Sequence, residues 1–74
     1  MAIQYNIIEE IAEISQGSRG WTKQLNLVSW DGGTPKYDIR SWAPDRAHMG
    51  KGVTLTEAEA RAVYEALKER FEKG

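Results

Sequence analysis

Two tryptophans and an arginine in the segment WDGGTPKYDIRSW, residues 30–42, are the side chains of this chain best suited to bind another molecule. If the segment is extended, Trp30, Arg40 and Trp42 share one face, because side chains alternate along a strand. Proteins that hold single-stranded nucleic acids combine aromatic rings, on which bases stack, with cations along the phosphates. The alternative is that both indoles close a small hydrophobic core, since tryptophan is usually well buried. The side to which the rings point decides between the two.

The sequence contains no recognisable catalytic or metal-binding arrangement. His48 is the single histidine and cysteine is absent, so a nucleophile cannot be matched with a base and an orienting group. Gly50-Lys51 does not complete a phosphate loop, because Asp45 stands in place of its first glycine and Gly52 in place of its Ser or Thr. The three aspartates of the central segment lack the close spacing of a calcium loop. We therefore predict a protein that is not an enzyme and needs no cofactor or metal.

The length of 74 residues and the lack of cysteine narrow the possible kinds of protein. We predict one domain, residues 1–74; such a domain buries only about 60% of its unfolded surface, so we expect it to form a homodimer. The absence of disulfides favours a cytoplasmic location, with association with the nucleoid left open. No apolar run is long enough to cross a membrane, and no signal peptide is recognisable.

The formal net charge of −1 hides a separation of charge along the chain. Residues 16–53 carry six cations against three aspartates, a balance of +3, whereas the two ends together carry eight acids and four bases. A locally positive surface is therefore possible, and its geometry depends on the fold. The six cations are Arg19, Lys23, Lys36, Arg40, Arg46 and Lys51.

The last third of the sequence predicts one amphipathic helix over residues 56–72. Thr56 and Glu59 have the spacing of a capping box, in which each side chain accepts a hydrogen bond from the backbone of the other residue. Apolar residues then recur at helical spacing along one side, while charged residues occupy the other. The apolar side consists of Ala60, Val63, Tyr64, Leu67 and Phe71.

Residues 23–42 alternate with a period of two and predict a hairpin around the turn at residues 31–35. If the apolar face packs against the helix, then Trp30, Arg40 and Trp42 face away from it. The residues predicted to face the helix are Leu25, Leu27, Tyr37 and Ile39.

The segment YNIIEEIAEIS, from Tyr5, is ambiguous from its pattern. Ile7, Ile11 and Ile14 have helical spacing, yet a segment so rich in isoleucine favours a strand. The predicted order is strand 5–15, strand 22–30, strand 36–42, strand 52–55 and helix 56–72, an α+β fold.

The run from Lys23 to Leu67 resembles the transcriptional positive cofactor four family of single-stranded-DNA-binding coactivators, especially its bacterial YdbC-like branch. The resemblance lies in YDIR at residues 37–40, in GKGVTL at residues 50–55, and in the aromatic Trp30 that closes the strand before the turn. It implies a whirly-like, strongly curved four-stranded antiparallel sheet followed by one helix, paired as a homodimer. It also implies that the outer sheet faces and ridges bind single-stranded DNA, with transcription machinery as a further partner.

The residues to which the resemblance assigns roles lie in the strands. Trp30 matches the stacking aromatic, Arg40 the arginine of strand three, and Trp42 an aromatic of the pair that ends this strand. Val28 departs from the basic residue of many relatives, and the regulatory tail of the eukaryotic members is absent. The predicted nucleic-acid-binding set is Lys23, Asn26, Trp30, Lys36, Arg40, Trp42 and Lys51.

Two other functions remain compatible with the same residues. Exposed tryptophan and arginine also form hot spots in protein interfaces, so the sheet could receive an acidic peptide or a partner subunit. Stacking platforms accept either sugar, so RNA is a second possible ligand.

Overall fold

A computed structural model describes residues 4–73 and contains four strands and one long helix. The strands are β1 (Tyr5–Gln16), β2 (Thr22–Trp30), β3 (Lys36–Trp42) and β4 (Met49–Leu55), and the helix is α1 (Glu57–Glu72). A 3-10 turn, Ser18–Gly20, connects β1 to β2. The strands form one antiparallel sheet in the order β1-β2-β3-β4. The predicted α+β fold is confirmed, although β4 begins three residues earlier than predicted, at Met49 instead of residue 52.

The N-terminal segment is a strand, and β-bulges explain its ambiguous pattern. The pairing of β1 with β2 shifts register three times, between Ile7 and Glu9, between Glu10 and Ala12, and between Glu13 and Ser15. Each shift adds one unpaired residue to β1, which bends and twists the strand. The added residues recur every third position and include two of the three isoleucines that have helical spacing. They are Ile8, Ile11 and Ile14, all exposed.

The sheet is strongly curved. Trp30 and Trp42 lie at opposite ends of the β2–β3 ladder, where Trp42 pairs with Thr22. A flat strand would hold Thr22 and Trp30 roughly 26 Å apart. Nevertheless the ring of Tyr5 lies 5.6 Å from that of Trp30 and 5.4 Å from that of Trp42, measured between centroids. The hydroxyl of Tyr5 also donates to the Arg46 carbonyl oxygen of the β3–β4 loop at 3.2 Å. The ends of the sheet therefore approach each other on the face away from α1.

The most deeply buried side chains lie on this closed face. Trp42, Val28 and the polar residue Asp38 are fully buried, and Asn26 is 1% exposed. The prediction that Trp30, Arg40 and Trp42 lie opposite the helix is confirmed in direction, because α1 lies with Leu25, Tyr37 and Ile39 on the other face. The face opposite the helix is nevertheless the core of the chain and not an open surface.

The helix leaves a wide apolar groove between itself and the sheet. The groove has a volume of about 560 Å³ and contains Leu25 and Ile39 of the sheet with Val63 and Leu67 of α1. The capping box is present: Thr56 Oγ1 accepts from the Glu59 N–H at 3.1 Å, and Glu59 Oε1 accepts from the Thr56 N–H at 2.8 Å. α1 is not long and apolar enough to cross a membrane, and the described residues form no other long helix.

Candidate nucleic-acid interface

Trp42 and Asn26 do not present their side chains to solvent. Trp42 has no exposed surface and Asn26 is 1% exposed. The Asn26 side-chain amide donates to Gln24 Oε1 at 3.1 Å, within the same strand. The prediction that the Trp42 ring points outward is therefore wrong, because the curved sheet and the aromatic ring of Tyr5 cover it. A ligand reaches neither side chain without opening the core.

Trp30 is partly exposed, and neighbouring groups already occupy its ring. The Arg40 guanidinium lies over the indole, 4.8 Å from the ring centroid, and Tyr5 packs against it at a tilt of 46°. The indole N–H of Trp30 is buried without a hydrogen-bond partner. Arg40 and Trp30 thus form one stacked unit, in which the guanidinium plane is a second flat surface next to the ring.

Arg40 is held by a buried carboxylate. Its Nε and Nη2 atoms donate to the two oxygens of Asp38 at 2.7 and 2.8 Å, and Thr54 Oγ1 donates to the same carboxylate at 3.1 Å. The Arg40 side chain is 15% exposed and that of Asp38 is fully buried. Gly52 lets the β3 and β4 backbones approach here, because a Cβ at this position would overlap Arg40 and the Ile39 carbonyl. Arg40 therefore belongs to a neutral, paired unit and is not a free cation.

Unlike Arg40, the three lysines of the predicted binding set are neither buried nor paired within the described part of the chain. Lys23, Lys36 and Lys51 are exposed, and none pairs with a carboxylate among residues 4–73. Lys23 and Lys51 lie on the face of α1, as strand alternation from Leu25 and Val53 requires. Their ammonium groups can bind phosphate without first breaking an ion pair.

Arg46 is a cation of the basic segment whose role the sequence did not indicate. Its guanidinium contacts Glu10 of β1 at 3.0 Å and donates to Gln24 Oε1 at 2.9 Å. The hydrogen bond from Arg46, assisted by its charge, lowers the pKa of the exposed Glu10 carboxyl. Arg46 thus fastens the β3–β4 loop to β1 and β2. Only the tertiary fold brings residues so far apart in sequence together, so the local pattern gave no signal of this pair.

Comparison with known proteins identifies relatives of this chain. The family model described as Transcriptional Coactivator p15 (PC4) matches residues 18–66. An uncharacterized protein of Treponema pallidum (strain Nichols) is 44% identical over 63 residues, which cover 85% of this chain and 74% of that relative. The matched region runs from the 3-10 turn into α1 and includes Lys23, Lys36 and Lys51.

Proposed function

Because this chain belongs to the transcriptional coactivator p15 (PC4) family, we propose that it is a non-enzymatic protein that binds single-stranded DNA with little sequence preference. The family binds single-stranded DNA. In this proposal the chain has a coactivator-like role in transcription and acts at transiently melted DNA in the cytoplasm.

The observation that carries the proposal is the set of exposed, unpaired lysines on the strands. Lys23, Lys36 and Lys51 have no carboxylate partner among residues 4–73, although acidic residues make up more of the whole chain than basic ones. A protein that neutralises phosphates releases their counterions, and this supplies most of a binding free energy that does not depend on sequence. The Arg40–Trp30 unit supports the same proposal, because bases stack on guanidinium planes as well as on aromatic rings.

The proposal includes a homodimer formed through the apolar groove. Tyr64 is 58% and Phe71 76% exposed in the single chain, on a helix side that the sequence marks as apolar. Large apolar side chains at this exposure are typical of an interface. The groove has room for side chains from the helix of a second copy, which would bury the face that the chain's own sheet leaves uncovered.

Binding of oligo-dT across a salt series tests the function. For three phosphate contacts by lysine, the log–log slope of affinity against salt is expected to be about −2, from about −0.7 for each contact. The triple variant K23Q/K36Q/K51Q should lose most of this slope. Its matched control is K68Q/R70Q/K73Q, which removes the same charge from the helix and should retain most of the slope. Fluorescence anisotropy of a labelled oligonucleotide measures both.

Four outcomes would contradict the proposal. The protein could fail to bind oligo-dT at low salt, which would favour a protein-interaction module. A duplex of equal length could compete as well as the single strand. The two triple variants could lose the same slope, which would mean that net charge and not the sheet surface determines binding. Tighter binding of oligo-U than of oligo-dT would identify RNA as the ligand.

A further inference from the structure

Trp21 stands apart from the other two tryptophans. Trp30 and Trp42 share a cluster with Tyr5, and their indole N–H groups are buried without a partner. Within residues 4–73, Trp21 forms no aromatic or cation–π pair, and it is partly exposed. It directly precedes β2, whose first residue, Thr22, pairs with Trp42. Its indole is therefore the one that the aromatic core does not use.

The backbone of Trp21 is fixed on both sides by the 3-10 turn. Its N–H donates to the Ser18 carbonyl oxygen at 3.1 Å, and its carbonyl oxygen accepts from the Gly17 N–H at 2.7 Å. The turn is tight, with φ of 58° at Arg19 and 77° at Gly20. Gly20 also packs on the β3–β4 loop, since a Cβ there would lie 2.8 Å from Pro44 Cγ. A ring on such a backbone loses little further freedom when a ligand binds it.

The Trp21 indole lies against the start of β4. Its Cζ3 atom is 3.9 Å from the point at which a Cβ of Gly50 would stand, next to the Cβ of Ser41 at 3.7 Å from the same point. Because Gly50 has no side chain, the edge of the indole rests on backbone. The ring is thus supported by the sheet and remains partly exposed.

Two of the unpaired lysines flank this ring. Lys23 pairs with Ser41 across the β2–β3 ladder. The register shift between β3 and β4, from Arg40 opposite Gly52 to Trp42 opposite Met49, leaves Ser41 opposite Gly50 and Lys51. Lys23 and Lys51 are therefore two strands apart, roughly 10 Å, with Ser41 between them. By strand alternation, the side chains of both lysines lie on the sheet face that carries α1. Trp21 meets Gly50 on the same face.

We propose that Trp21, with Lys23 and Lys51, forms a nucleotide subsite in which a base of single-stranded DNA stacks on the indole while flanking phosphates contact the two ammonium groups. The subsite rests on the proposed function and adds a stacking residue on the side of the sheet opposite Trp30. An acidic peptide would satisfy the lysines but would leave the indole without a flat partner, so the combination favours a nucleic acid.

An oligonucleotide without bases provides the decisive comparison. Trp21→Ala is expected to weaken binding of oligo-dT about 5-fold to 150-fold, the range for loss of one stacked base. The same substitution should leave binding of an abasic oligomer of equal length unchanged, because that ligand has phosphates and no rings. Trp21→Phe keeps a ring and should retain most of the affinity for oligo-dT. It should also reduce the quenching of tryptophan emission by oligo-dT, and the partly exposed Trp30 would account for the quenching that remains.

Controls separate the subsite from the fold and from the proposed function. Trp21→Ala should keep the melting curve and the sedimentation coefficient of the wild-type protein. The subsite is refuted if Trp21→Ala weakens binding of both oligomers equally, if it binds oligo-dT as the wild-type protein does, or if oligo-dT quenches Trp21→Phe as strongly as the wild-type protein. Failure of the wild-type protein to bind oligo-dT would instead refute the proposed function on which the subsite depends. If Trp21→Ala does not fold, Trp21→Phe tests the subsite through the decrease in quenching relative to the wild-type protein.

Discussion

Arg40 and Lys23 carry the same formal charge but are held in opposite ways. The Arg40 guanidinium is mostly buried, is paired with Asp38 and lies over Trp30, whereas Lys23 is exposed without a partner among the described residues. A buried ion pair contributes little net attraction for a phosphate because its charges cancel. An exposed cation exchanges water and counterions for phosphate at small cost. We therefore expect the lysines to determine the salt dependence of binding. Arg40 should contribute the flat surface of its guanidinium, on which a base can stack.

Removal of the Asp38 charge tests this interpretation of Arg40. Asp38→Asn leaves a mostly buried guanidinium without a counter-charge, so the free energy of unfolding should fall by about 3 kcal/mol. Equilibrium urea denaturation measures the change. Asp45→Asn is the matched control, because Asp45 is exposed in a turn. The free energy of unfolding of this variant should stay within about 0.5 kcal/mol of the wild-type value. Equal urea midpoints for both variants would show that the buried pair is not required for stability.

Local features shape two of the elements: β-bulges in β1 and a capping box at the start of α1. Three bulges bend β1, which places Tyr5 across the sheet from Trp42. The capping box fixes the start of α1 directly after β4, so the helix leaves the sheet edge at a defined point. The apolar groove lies between this helix and the sheet.

The capping box predicts a pH dependence of stability. The hydrogen bond from the Thr56 N–H is the main cause that lowers the pKa of Glu59 from its ordinary value of 4.5. A carboxyl group with a lower pKa in the folded state stabilises that state fully above pH 4.5. This contribution of Glu59 to stability is lost as the pH falls through its lowered pKa.

Glu59→Gln is the variant that tests this dependence. It should flatten the loss of stability on acidification, because an amide does not titrate, whereas Glu65→Gln should behave as wild type. Urea midpoints at neutral and at acidic pH measure the difference. A Glu59→Gln protein that loses as much stability as wild type below pH 4.5 would contradict the assignment.

At the scale of the whole molecule, the chain has a small core of its own and a large apolar surface beside it. Among residues 4–73, the fully buried hydrophobic side chains are those of Val28 and Trp42, while Leu67 is 49% and Phe71 76% exposed on the helix. A domain of this size is marginal when it is folded alone. In the proposed homodimer, a second copy would cover the groove and bury these exposed apolar side chains.

The homodimer predicts that stability depends on concentration. The melting temperature of the wild-type protein should fall on dilution, because association stabilises only the folded state. Leu67→Glu places a charge in the groove and should yield a monomer with a lower melting temperature that no longer responds to dilution. Glu65→Lys, on the charged side of the helix, is the control and should remain dimeric. Sedimentation velocity measures the mass, and a wild-type monomer at every concentration would contradict the proposal.

The amino-acid sequence by itself determined the elements and the parity of their faces. The order of four strands and a helix, the hairpin turn, the cap at Thr56, and the position of Trp30, Arg40 and Trp42 opposite α1 were all predicted. These features depend on neighbours in sequence: alternation, turn residues and capping operate over a few positions. The bulges of β1 were not predicted, because three extra residues in one strand become recognisable only when its partner defines the register.

What each face of the sheet meets depends on packing between distant parts of the chain. Parity gives the side to which a ring points, but the curvature of the sheet, which bulges and long-range packing produce, closes that side over Trp42. Curvature arises from contacts between residues far apart in sequence, such as Tyr5 with Arg46, so no local pattern encodes it. For the same reason Trp21 meets Gly50, the residue before Lys51, only when β4 folds beside β3.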